Sequence, residues 1–498
     1  GAAGTQDLGS TSKEFRNLYL GDSGSVYFGE GQDVRAYYDA TGSASFTIDS
    51  AAGYLYINSD ALRLNSKTSG WSYLRGDKSD GVVKLYKSNS EKLATSDTGI
   101  SVTGEVAASQ DYPNYRPTLD FNFAAVKKLD NRITYYRTGP ASYVDELGKV
   151  VLVGANTPRF DHDPATKECK GLLIEESRTN LLPFSFDDLK WVAGSGSTLT
   201  RNAGTAPDGT ETATKATISS NDIDVSPKVS GTNNTANITV SASTSYTLSV
   251  WAKASTTAQV GNNFKVRMKR VSGDSFAVET TFALTANWAR YSVNGTTPAN
   301  VTSVMCYVGG VSGSEALVWG AQLEAGSFVT SLIPTNGGTA VRGEDIAIID
   351  GTEFTDFFNA TEGTSVVHAH MPISNGAYGL PTYAFRNSAV SQHTLQFSRD
   401  NNASPAYHYY HDGSNTSYTR ASVTGDNMYK GAMSFKTSDV DSYVNGTLNA
   451  HTTTFTMPPF DNLRFGGVGG GNQLGGHVAR FMYYPVKLTN NQLATLTS

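Results

Sequence analysis

The sequence changes character at residues 156–182, which read Asn156-Thr157-Pro158-Arg159-Phe160-Asp161-His162-Asp163-Pro164 and, further on, Gly171-Leu172-Leu173-Ile174-Glu175-Glu176-Ser177-Arg178-Thr179-Asn180-Leu181-Leu182. Before this stretch the chain is a series of very short strand patterns punctuated by Gly and Asp. Two longer segments follow it, and each has the alternating pattern of a β-sandwich. We therefore interpret the stretch as the joint between a shaft and a head.

The composition predicts an all-β protein. Charged residues make up 17% of the 498 positions, and Gly (49) and Tyr (26) are plentiful, which favours strands and tight turns. A chain of this length exceeds one core and suggests about three or four units. The net charge is −6 and the Lys and Arg residues are scattered, so we expect no nucleic-acid partner.

The two cysteines, Cys169 and Cys306, fall in different predicted segments. They indicate neither a disulfide framework nor a zinc site, so we expect folding in a reducing cytoplasm. No apolar run approaches the ~18 residues that a spanning helix needs, and we expect no membrane insertion. The sequence starts at Gly1 rather than Met, so we also expect further residues upstream.

Residues 1–111 repeat one small unit, a strand of a few residues closed by a Gly, Asn or Asp turn. The unit occurs at Leu18-Tyr19-Leu20-Gly21-Asp22, Val26-Tyr27-Phe28-Gly29-Glu30, Tyr54-Leu55-Tyr56-Ile57-Asn58, Leu62-Arg63-Leu64-Asn65 and Val82-Val83-Lys84-Leu85-Tyr86. Such units are stable only when stacked on neighbours. We expect the neighbours to come from other copies, in a homotrimeric shaft with few bare strand edges.

Two stretches resemble parts of bacteriophage fibres. Residues 82–106, with Val83-Lys84-Leu85-Tyr86-Lys87-Ser88-Asn89 and Thr98-Gly99-Ile100-Ser101-Val102-Thr103-Gly104, resemble the short fibre repeat of tailed phages, especially marine ones. Residues 119–182 resemble a junction module of phage fibre, spike and capsid-fibre proteins. The resemblance implies a β-rich junction module at residues 112–182.

Residues 183–335 alternate as half-buried strands should. One face holds Tyr246, Leu248 and Val250, a second Phe264, Val266 and Met268, a third Val304, Cys306 and Val308, and a fourth Leu317, Trp319, Ala321 and Leu323. The segment closes with Trp319-Gly320-Ala321-Gln322-Leu323-Glu324 and Ile333-Pro334-Thr335. This sequence pattern resembles that of a jelly roll of the carbohydrate-binding-module type.

Residues 336–498 carry another set of strands and end in a helix. Asn445-Gly446 predicts a type I′ hairpin turn. Thr489 and Gln492 predict a capping box, and Leu488 can pack against Leu493 at the start of the helix. With Phe465-Gly466-Gly467 and His477-Val478-Ala479-Arg480-Phe481, the segment resembles a concanavalin-A or laminin-G-like sandwich.

Sugar binding needs aromatic faces and short polar side chains held on a rigid sheet. The last segment offers Tyr378, Tyr383, Arg386, His393, Tyr407, His408, Tyr409, Tyr410, His411 and Asp412. Alternation along residues 407–411 should turn about half of these rings inward. In the middle segment Trp251 lies opposite the apolar face of its strand and is the preferred stacking residue, whereas Trp319 is assigned to the core. Trp288 is a further aromatic candidate.

Other motifs have ordinary structural explanations. Gly21-Asp22-Ser23-Gly24 is similar to a protease nucleophile loop but lacks a matching His and Asp context. His368 with His370, and His162 between Asp161 and Asp163, could bind a metal, yet no set of ligands is complete. Asp400-Asn401-Asn402 and Asp439 with Asp441 offer calcium-type oxygens without the spacing of a calcium loop. We therefore predict no catalytic residue, no metal site and no cofactor, with calcium in a sandwich loop as the alternative.

These resemblances together imply a phage virion fibre or tail spike that binds host-surface polysaccharide or glycan through its C-terminal domains. Its other partners would be virion proteins, bound through the N-terminal side, and its location the surface of a particle assembled in the host cytoplasm. A capsid-decorating or collar fibre is an alternative. A polysaccharide depolymerase is a third, although no pair of carboxylates at an acid/base separation is evident.

The joint should contribute to trimer formation on this interpretation. Its apolar run, Leu172-Leu173-Ile174, is expected to bury against the same run in other copies, with Glu175, Glu176 and Arg178 pairing across chains. Leu173→Asp should then loosen the trimer.

Overall fold

The computed structural model describes residues 8, 10–21, 24–28, 34–39, 45–50, 61–79, 81–96, 99–103, 113, 115–186, 191–194, 196–219, 223–224, 237–270, 277–310, 312–371, 380–399, 405–414, 416–422, 428–467 and 474–498. Strands account for 54% of the structure and helices for 5%. The all-β prediction is confirmed. The chain forms two compact units, Gly1–Ala108 and Ser109–Ser498.

The first unit contains two antiparallel meanders. The strands of its three-stranded sheet are β1 (Ser25–Phe28), β2 (Val34–Asp39) and β3 (Ser45–Ser50), and those of its five-stranded sheet are β4 (Ala61–Asn65), β5 (Ser72–Asp77), β6 (Val82–Lys87), β7 (Ser90–Ser96) and β8 (Gly99–Val102). The predicted strands near residues 26, 62 and 82 are confirmed. Residues 18–20 form no strand, and the unit predicted at 54–58 lies outside the described residues.

An apolar row crosses all five strands of the second meander. The register pairs Leu64 with Leu74, Leu74 with Leu85, Leu85 with Leu93, and Leu93 with Val102. Leu64, Leu85 and Val102 are each more than 40% exposed. Among the described residues of this unit, Ala94 is the only apolar residue that is fully buried. The sheet therefore lacks a second layer within the described part of its own unit.

The described residues of the second unit form thirty strands and three short α-helices. Up to the joint they are β9 (Leu119–Asn122), α1 (Phe123–Val126), β10 (Thr134–Tyr136), β11 (Ala141–Val144), β12 (Val150–Val153), β13 (Phe160–His162), β14 (Cys169–Ile174) and β15 (Arg178–Asn180). The middle segment has β16 (Val192–Ala193), β17 (Thr198–Gly204), β18 (Ala213–Thr217), β19 (Ile223–Asp224), β20 (Ile238–Thr239), β21 (Ser245–Ala254), a 3₁₀ turn (Thr257–Gln259), β22 (Asn263–Arg270), β23 (Ala277–Ala283), β24 (Ala289–Thr296), β25 (Ser303–Gly310) and β26 (Glu315–Ala325).

The rest of the chain completes this unit. It has β27 (Ala340–Arg342), β28 (Ile346–Asp350), α2 (Gly351–Thr355), β29 (Glu362–His370), β30 (Leu380–Arg386), β31 (His393–Arg399), β32 (Pro405–Asp412), β33 (Thr416–Ser422), β34 (Met428–Lys436), β35 (Asp439–Val444), β36 (Thr447–Thr452), β37 (Asn462–Phe465), β38 (Gly476–Tyr484) and α3 (Asn490–Thr497).

The last sandwich is built from both sides of the middle segment. Its seven-stranded sheet runs β10-β28-β37-β30-β31-β32-β33. Its eight-stranded sheet runs β13-β14-β38-β29-β34-β35-β36, with β9 also paired to β38. Phe121, Phe123, Leu172 and Ile174 lie in the same core as Phe385. Strands of the predicted junction module therefore complete both sheets of the predicted C-terminal sandwich.

The middle sandwich has a six-stranded and a five-stranded sheet. Its core contains the first three predicted faces, those of β21, β22 and β25. The chain enters this sandwich after β15 and leaves it before β27, and these two strands pair with each other. The middle sandwich is therefore inserted into the larger domain through one two-stranded neck.

The fourth predicted face is divided by a β-bulge. Gly320 has a φ of +66°, and the β21–β26 register shifts there. Before the bulge, Leu317 and Trp319 point to an outer cluster, whereas Ala321 and Leu323 after it point into the sandwich core. Trp319 is buried as predicted, at 2% exposure, but it does not share a face with Ala321 and Leu323, because one extra residue reverses the alternation.

The local signals at the end of the chain are confirmed. Asn445 and Gly446 both have positive φ angles, 48° and 78°, as a type I′ turn requires. Thr489 caps α3 and forms the capping box with Gln492. Leu488 and Leu493 belong to one buried cluster. The helix is thereby held against the eight-stranded sheet.

The joint is buried within its own chain. Leu172 and Ile174 are 0% exposed in the large core and Leu173 is 5% exposed. Glu175 pairs with Arg159 and Arg342 of the same chain, and Glu176 pairs with Arg178. The expected burial and pairing across copies is therefore replaced by contacts inside one chain. Leu173→Asp would place a charge at a buried position of β14, beside this core rather than in it.

Cys169 and Cys306 are free thiols. Within the described residues, no helix has both the length and the apolar character needed to cross a membrane.

Candidate functional site

A pocket of about 260 Å³ lies where the junction strands meet both sandwiches. We call it the central pocket. Its lining residues are Ser142, Tyr143, Val144, Val150, Asp161, Leu173, Glu175, Trp251, Arg290, Val329, Thr330, Ser331, Leu332, His370, Gly475 and His477. The lining residues lie in or beside β11–β14, β21, β24, β29 and β38 and in the segment before the neck strand β27.

Trp251 provides the main aromatic surface on the middle-sandwich side. It lies on β21 opposite Trp319 of β26, in the outer cluster that also contains Val150 and Leu332. Trp251 is 7% exposed, and its indole Nε1 has no acceptor among the described residues. The predicted stacking residue therefore does line a pocket, largely buried and with an unused N–H donor. Tyr143, half-buried on β11, adds a second ring.

An Asp–His pair lines the pocket on the side of the larger domain. His477 Nε2 lies 2.8 Å from Asp161 Oδ2, and the backbone N–H of Val144 donates to Asp161 Oδ1 at 2.6 Å. The His370 ring stands 5.7 Å from the His477 ring, centroid to centroid. Both oxygens of Asp161 therefore already accept hydrogen bonds, while Nδ1 of His477 has no partner in the described structure.

Arg290 brings a positive charge to the pocket from β24. Its guanidinium donates to the Thr330 carbonyl at 2.5 Å and to Ser249 Oγ at 3.0 Å. Burial lowers the pKa of Arg290 to about 10. The side chain is therefore desolvated but still charged at neutral pH.

A buried ion-pair network adjoins the pocket through Glu175, which lines it. Arg159 contacts Glu175 at 2.6 Å and Asp345 at 2.5 Å, and Arg342 contacts Glu175 at 3.1 Å. Ser331 donates to both oxygens of Glu175, each at 2.6 Å. Burial opposes the charged form of Glu175, but the charges of Arg342 and Arg159 outweigh it and hold the pKa of Glu175 well below its usual range. This network joins β13, β14 and the residues on either side of the neck.

This arrangement suits binding of a small polar ligand. Two rings, several hydrogen-bonding groups and a cation converge on one half-open cavity, which is the usual composition of a ligand site. Trp251 was the only lining residue nominated for sugar contact from the sequence, whereas His370 and Asp161 were considered there only as metal ligands. The sequence offered one signal for Arg290, a lone arginine beside the apolar alternation of β24. Tyr143 and the pairing of Asp161 with His477 depend on contacts distant in the chain.

The residues of the last segment that were predicted to contact a glycan divide between the two faces of the seven-stranded sheet. Tyr383 is 0% exposed and lies in the core, and His408 and Tyr410 are buried on the same inner face. Burial lowers the pKa of His408 to about 3. Tyr383 therefore cannot contact a ligand from solvent. Tyr378 and the side chain of Tyr407 lie outside the described residues.

Three predicted residues share the outer face of this sheet. The register aligns Arg386 with Thr394, Thr394 with His411, and Gln396 with Tyr409. Arg386, Tyr409 and His411 are half-buried. His393 and Asp412 pair at the end of β31 and β32, where Asp412 accepts from the N–H groups of Ser414 and Thr456. The outer face is polar, but these residues do not converge on the central pocket.

The residues considered for metals have other partners. Asp439, Asp441 and His451 cluster in the described structure, but the ammonium of Lys487 bridges the two carboxylates. Because that cation already neutralises them, the cluster does not fit a calcium site.

The histidines considered for metals are also separated. His162 bonds to the Val144 carbonyl at 2.9 Å, and Asp163 accepts from the turn N–H groups of Thr166 and Ala165. His368 contacts the Leu496 carbonyl at 3.3 Å, away from the pair of His370 and His477. Residues 22–23 and 400–402 lie outside the described part of the chain.

No protein-family model matches the chain, and no curated protein matches it. Among solved structures, it is similar to the CBM40 domain of Ruminococcus gnavus IT-sialidase bound to α2,3-sialyllactose, with 17% identity over 29% of this chain and 88% of that one and a TM-score of 0.26. A leech intramolecular trans-sialidase matches at 13% identity over 30% of this chain and 27% of that one, with a TM-score of 0.26. The binding domain of botulinum neurotoxin DC, in complex with rat synaptotagmin II, matches at 13% identity over 31% of this chain and 39% of that one, with a TM-score of 0.24. These values are too low to assign a ligand or a function to the chain.

Proposed function

We propose that the protein is a bacteriophage virion fibre that attaches to glycans on the host surface through its sandwich domains. The central pocket carries the glycan-binding part of the proposal. It combines the rings of Trp251 and Tyr143 with polar groups in about 260 Å³, below the usual range of drug-sized sites and suited to a single sugar ring. The fibre repeat and junction module recognised in the sequence support the phage part.

Trimerisation of the first unit fits the same proposal. The apolar row from Leu64 to Val102 is open on one sheet face, and identical rows from other copies would cover it without leaving bare apolar surface. Three weak pockets on one fibre would then engage a repetitive glycan surface together, which raises avidity without new contacts. The N-terminal side would attach to other virion proteins.

Binding without hydrolysis is the activity that we propose. A glycosidase needs one carboxyl group that carries a proton and a second that acts as base or nucleophile. The two carboxylates of the central pocket are both engaged: Glu175 with two arginines and Asp161 with His477 and a backbone N–H. Neither is free to act as a general acid.

The test is binding of the full chain to a glycan array, followed by calorimetry on the best ligand. Tyr143→Ala should weaken binding about tenfold or more, as loss of an aromatic anchor does. Tyr136→Ala is the matched control, because Tyr136 is 49% exposed and does not line the pocket. Equal losses in both variants, or no bound glycan at all, would refute the proposed site.

Two further readouts separate the alternatives. Addition of the purified chain should block adsorption of the phage to its host, whereas a capsid-decorating fibre would leave adsorption unchanged. Release of reducing sugar from host polysaccharide would instead identify a depolymerase and overturn the binding-only proposal.

A further inference from the structure

We infer that the central pocket takes an anionic sugar, a monosaccharide unit that carries a carboxylate or a sulfate group, with Arg290 as its counter-ion. The inference rests on the proposed glycan-binding function and narrows it to one chemical class. It concerns the charge and the hydrogen-bonding capacity of the residues that line the pocket.

Arg290 differs from the other arginines around the neck. Arg137, Arg159 and Arg342 each lie within 3.5 Å of a carboxylate oxygen. Arg290 has no carboxylate oxygen within 4 Å among the residues that the structure describes, and its two partners, Thr330 and Ser249, are neutral. The charges of Glu324 and Glu175 act on Arg290 only from beyond ion-pair distance, and a desolvated cation without a direct counter-ion is unfavourable. An anionic group in the pocket would supply that direct contact.

The hydrogen-bonding groups of the pocket point to the same class of ligand. Among the buried nitrogen atoms of lining residues that have no partner in the described structure are Trp251 Nε1, Arg290 Nε and His477 Nδ1. The first two can only donate. The carboxylates of the pocket are already engaged, because Asp161 and Glu175 accept from protein groups on both oxygens. The unused capacity is thus mainly for donation, which an anion matches better than a neutral hydroxyl.

The ligand must be small as well as charged. The pocket holds about 260 Å³ and is bounded by the buried side chains of Leu173 and Leu332. A single acidic sugar at a chain end or branch fits this description. A bare inorganic anion would leave the ring of Trp251 without a partner.

The test compares acidic sugars with neutral sugars of the same shape on the full chain. Calorimetry would use glucuronate, its methyl ester and glucose in one series, and sulfated and unsulfated galactose in a second. The acidic member should bind about tenfold or more tightly than its neutral counterpart, as expected for hydrogen bonds to a charged group. The series with the larger ratio identifies which anion the pocket prefers.

Arg290→Gln should remove this preference, whereas Arg201→Gln, which changes an exposed arginine of the same sandwich, should retain it. The ester comparison needs no variant, so it decides the question even if Arg290→Gln does not fold. Equal affinity for acid and ester, or a preference retained in folded Arg290→Gln, overturns the inference while the glycan-binding function stands. Failure to bind any glycan overturns both.

Discussion

Replacing Glu175 by Gln tests whether the buried network holds the joint together. The substitution keeps the shape of the side chain but removes the charge that faces Arg159 at 2.6 Å and Arg342 at 3.1 Å. Both guanidinium groups are 0% exposed. Arg159 would retain Asp345 and the Ser142 carbonyl, and Arg342 would retain the Glu176 carbonyl, but both would lose the carboxylate that they share.

Removal of one partner from a buried ion pair typically costs about 3–5 kcal/mol, because a charge is left uncompensated away from water. Arg159 keeps its contact with Asp345, so we expect the lower end, about 3 kcal/mol in the free energy of unfolding. Urea denaturation followed by tryptophan fluorescence would measure it. The matched control is Glu146→Gln, which breaks an exposed pair with Lys127 and should leave stability nearly unchanged.

The same variant should alter the pH dependence of stability. The pKa of Glu175 in the folded chain lies below its ordinary value of 4.5, so its ion pairs stabilise the fold above that pH. This contribution is lost as the pH falls below 4.5 toward the folded-state pKa. Wild-type stability should therefore decline in acid, and Glu175→Gln should decline less steeply. A loss equal to that of Glu146→Gln, with an unchanged pH profile, would refute the role assigned to the network.

Two further predictions concern the backbone of the joint and the sheet of the first unit. Gly171→Ala would place a Cβ atom 2.2 Å from the Val478 carbonyl oxygen at a φ of +102°, so thermal denaturation should show a loss of stability above about 1 kcal/mol. The control Gly338→Ala has open space around the new Cβ atom and should be neutral. Equal effects of the two substitutions would contradict the assigned contact. Leu85→Asp should lower the oligomeric state measured by sedimentation velocity, because it introduces a charge into the exposed apolar row. Tyr73→Asp, on the opposite face of the same sheet, should leave the oligomeric state unchanged. An unchanged mass of the Leu85→Asp variant would argue against assembly through that row.

Local sequence patterns predicted correctly those features that depend on neighbouring residues in the chain. Alternation identified three inward faces of the middle sandwich, and the turn at Asn445 and the cap at Thr489 follow from side-chain chemistry alone. The same rule failed at Trp319, since a bulge at Gly320 reverses the faces. A glycine in a strand pattern is a known signal for such a bulge, and it was available in the sequence.

The joint and the pocket could not be derived in this way. Pairing of β14 with β38 joins residues about 300 positions apart in the chain, and no short-range pattern encodes it. The charged side chains of the joint were expected to pair between copies because the joint was interpreted as a trimer contact. One partner of Glu175, Arg342, lies beyond the whole middle segment in the sequence. Trp251 was found because its strand is long and regular, whereas Arg290 and His477 acquire their significance only from tertiary contacts.

The neck has a consequence for how such a protein can change. Asn180 and Ala340 are register partners on its two strands, so the whole middle sandwich enters and leaves through adjacent backbone positions. Excision of that sandwich would leave a gap that a two-residue hairpin turn can close. Recombination at these two points would exchange one middle sandwich for another while both sheets of the recipient domain keep all their strands. Such an exchange would replace the Trp251 and Arg290 side of the central pocket and leave the Asp161 and His477 side unchanged.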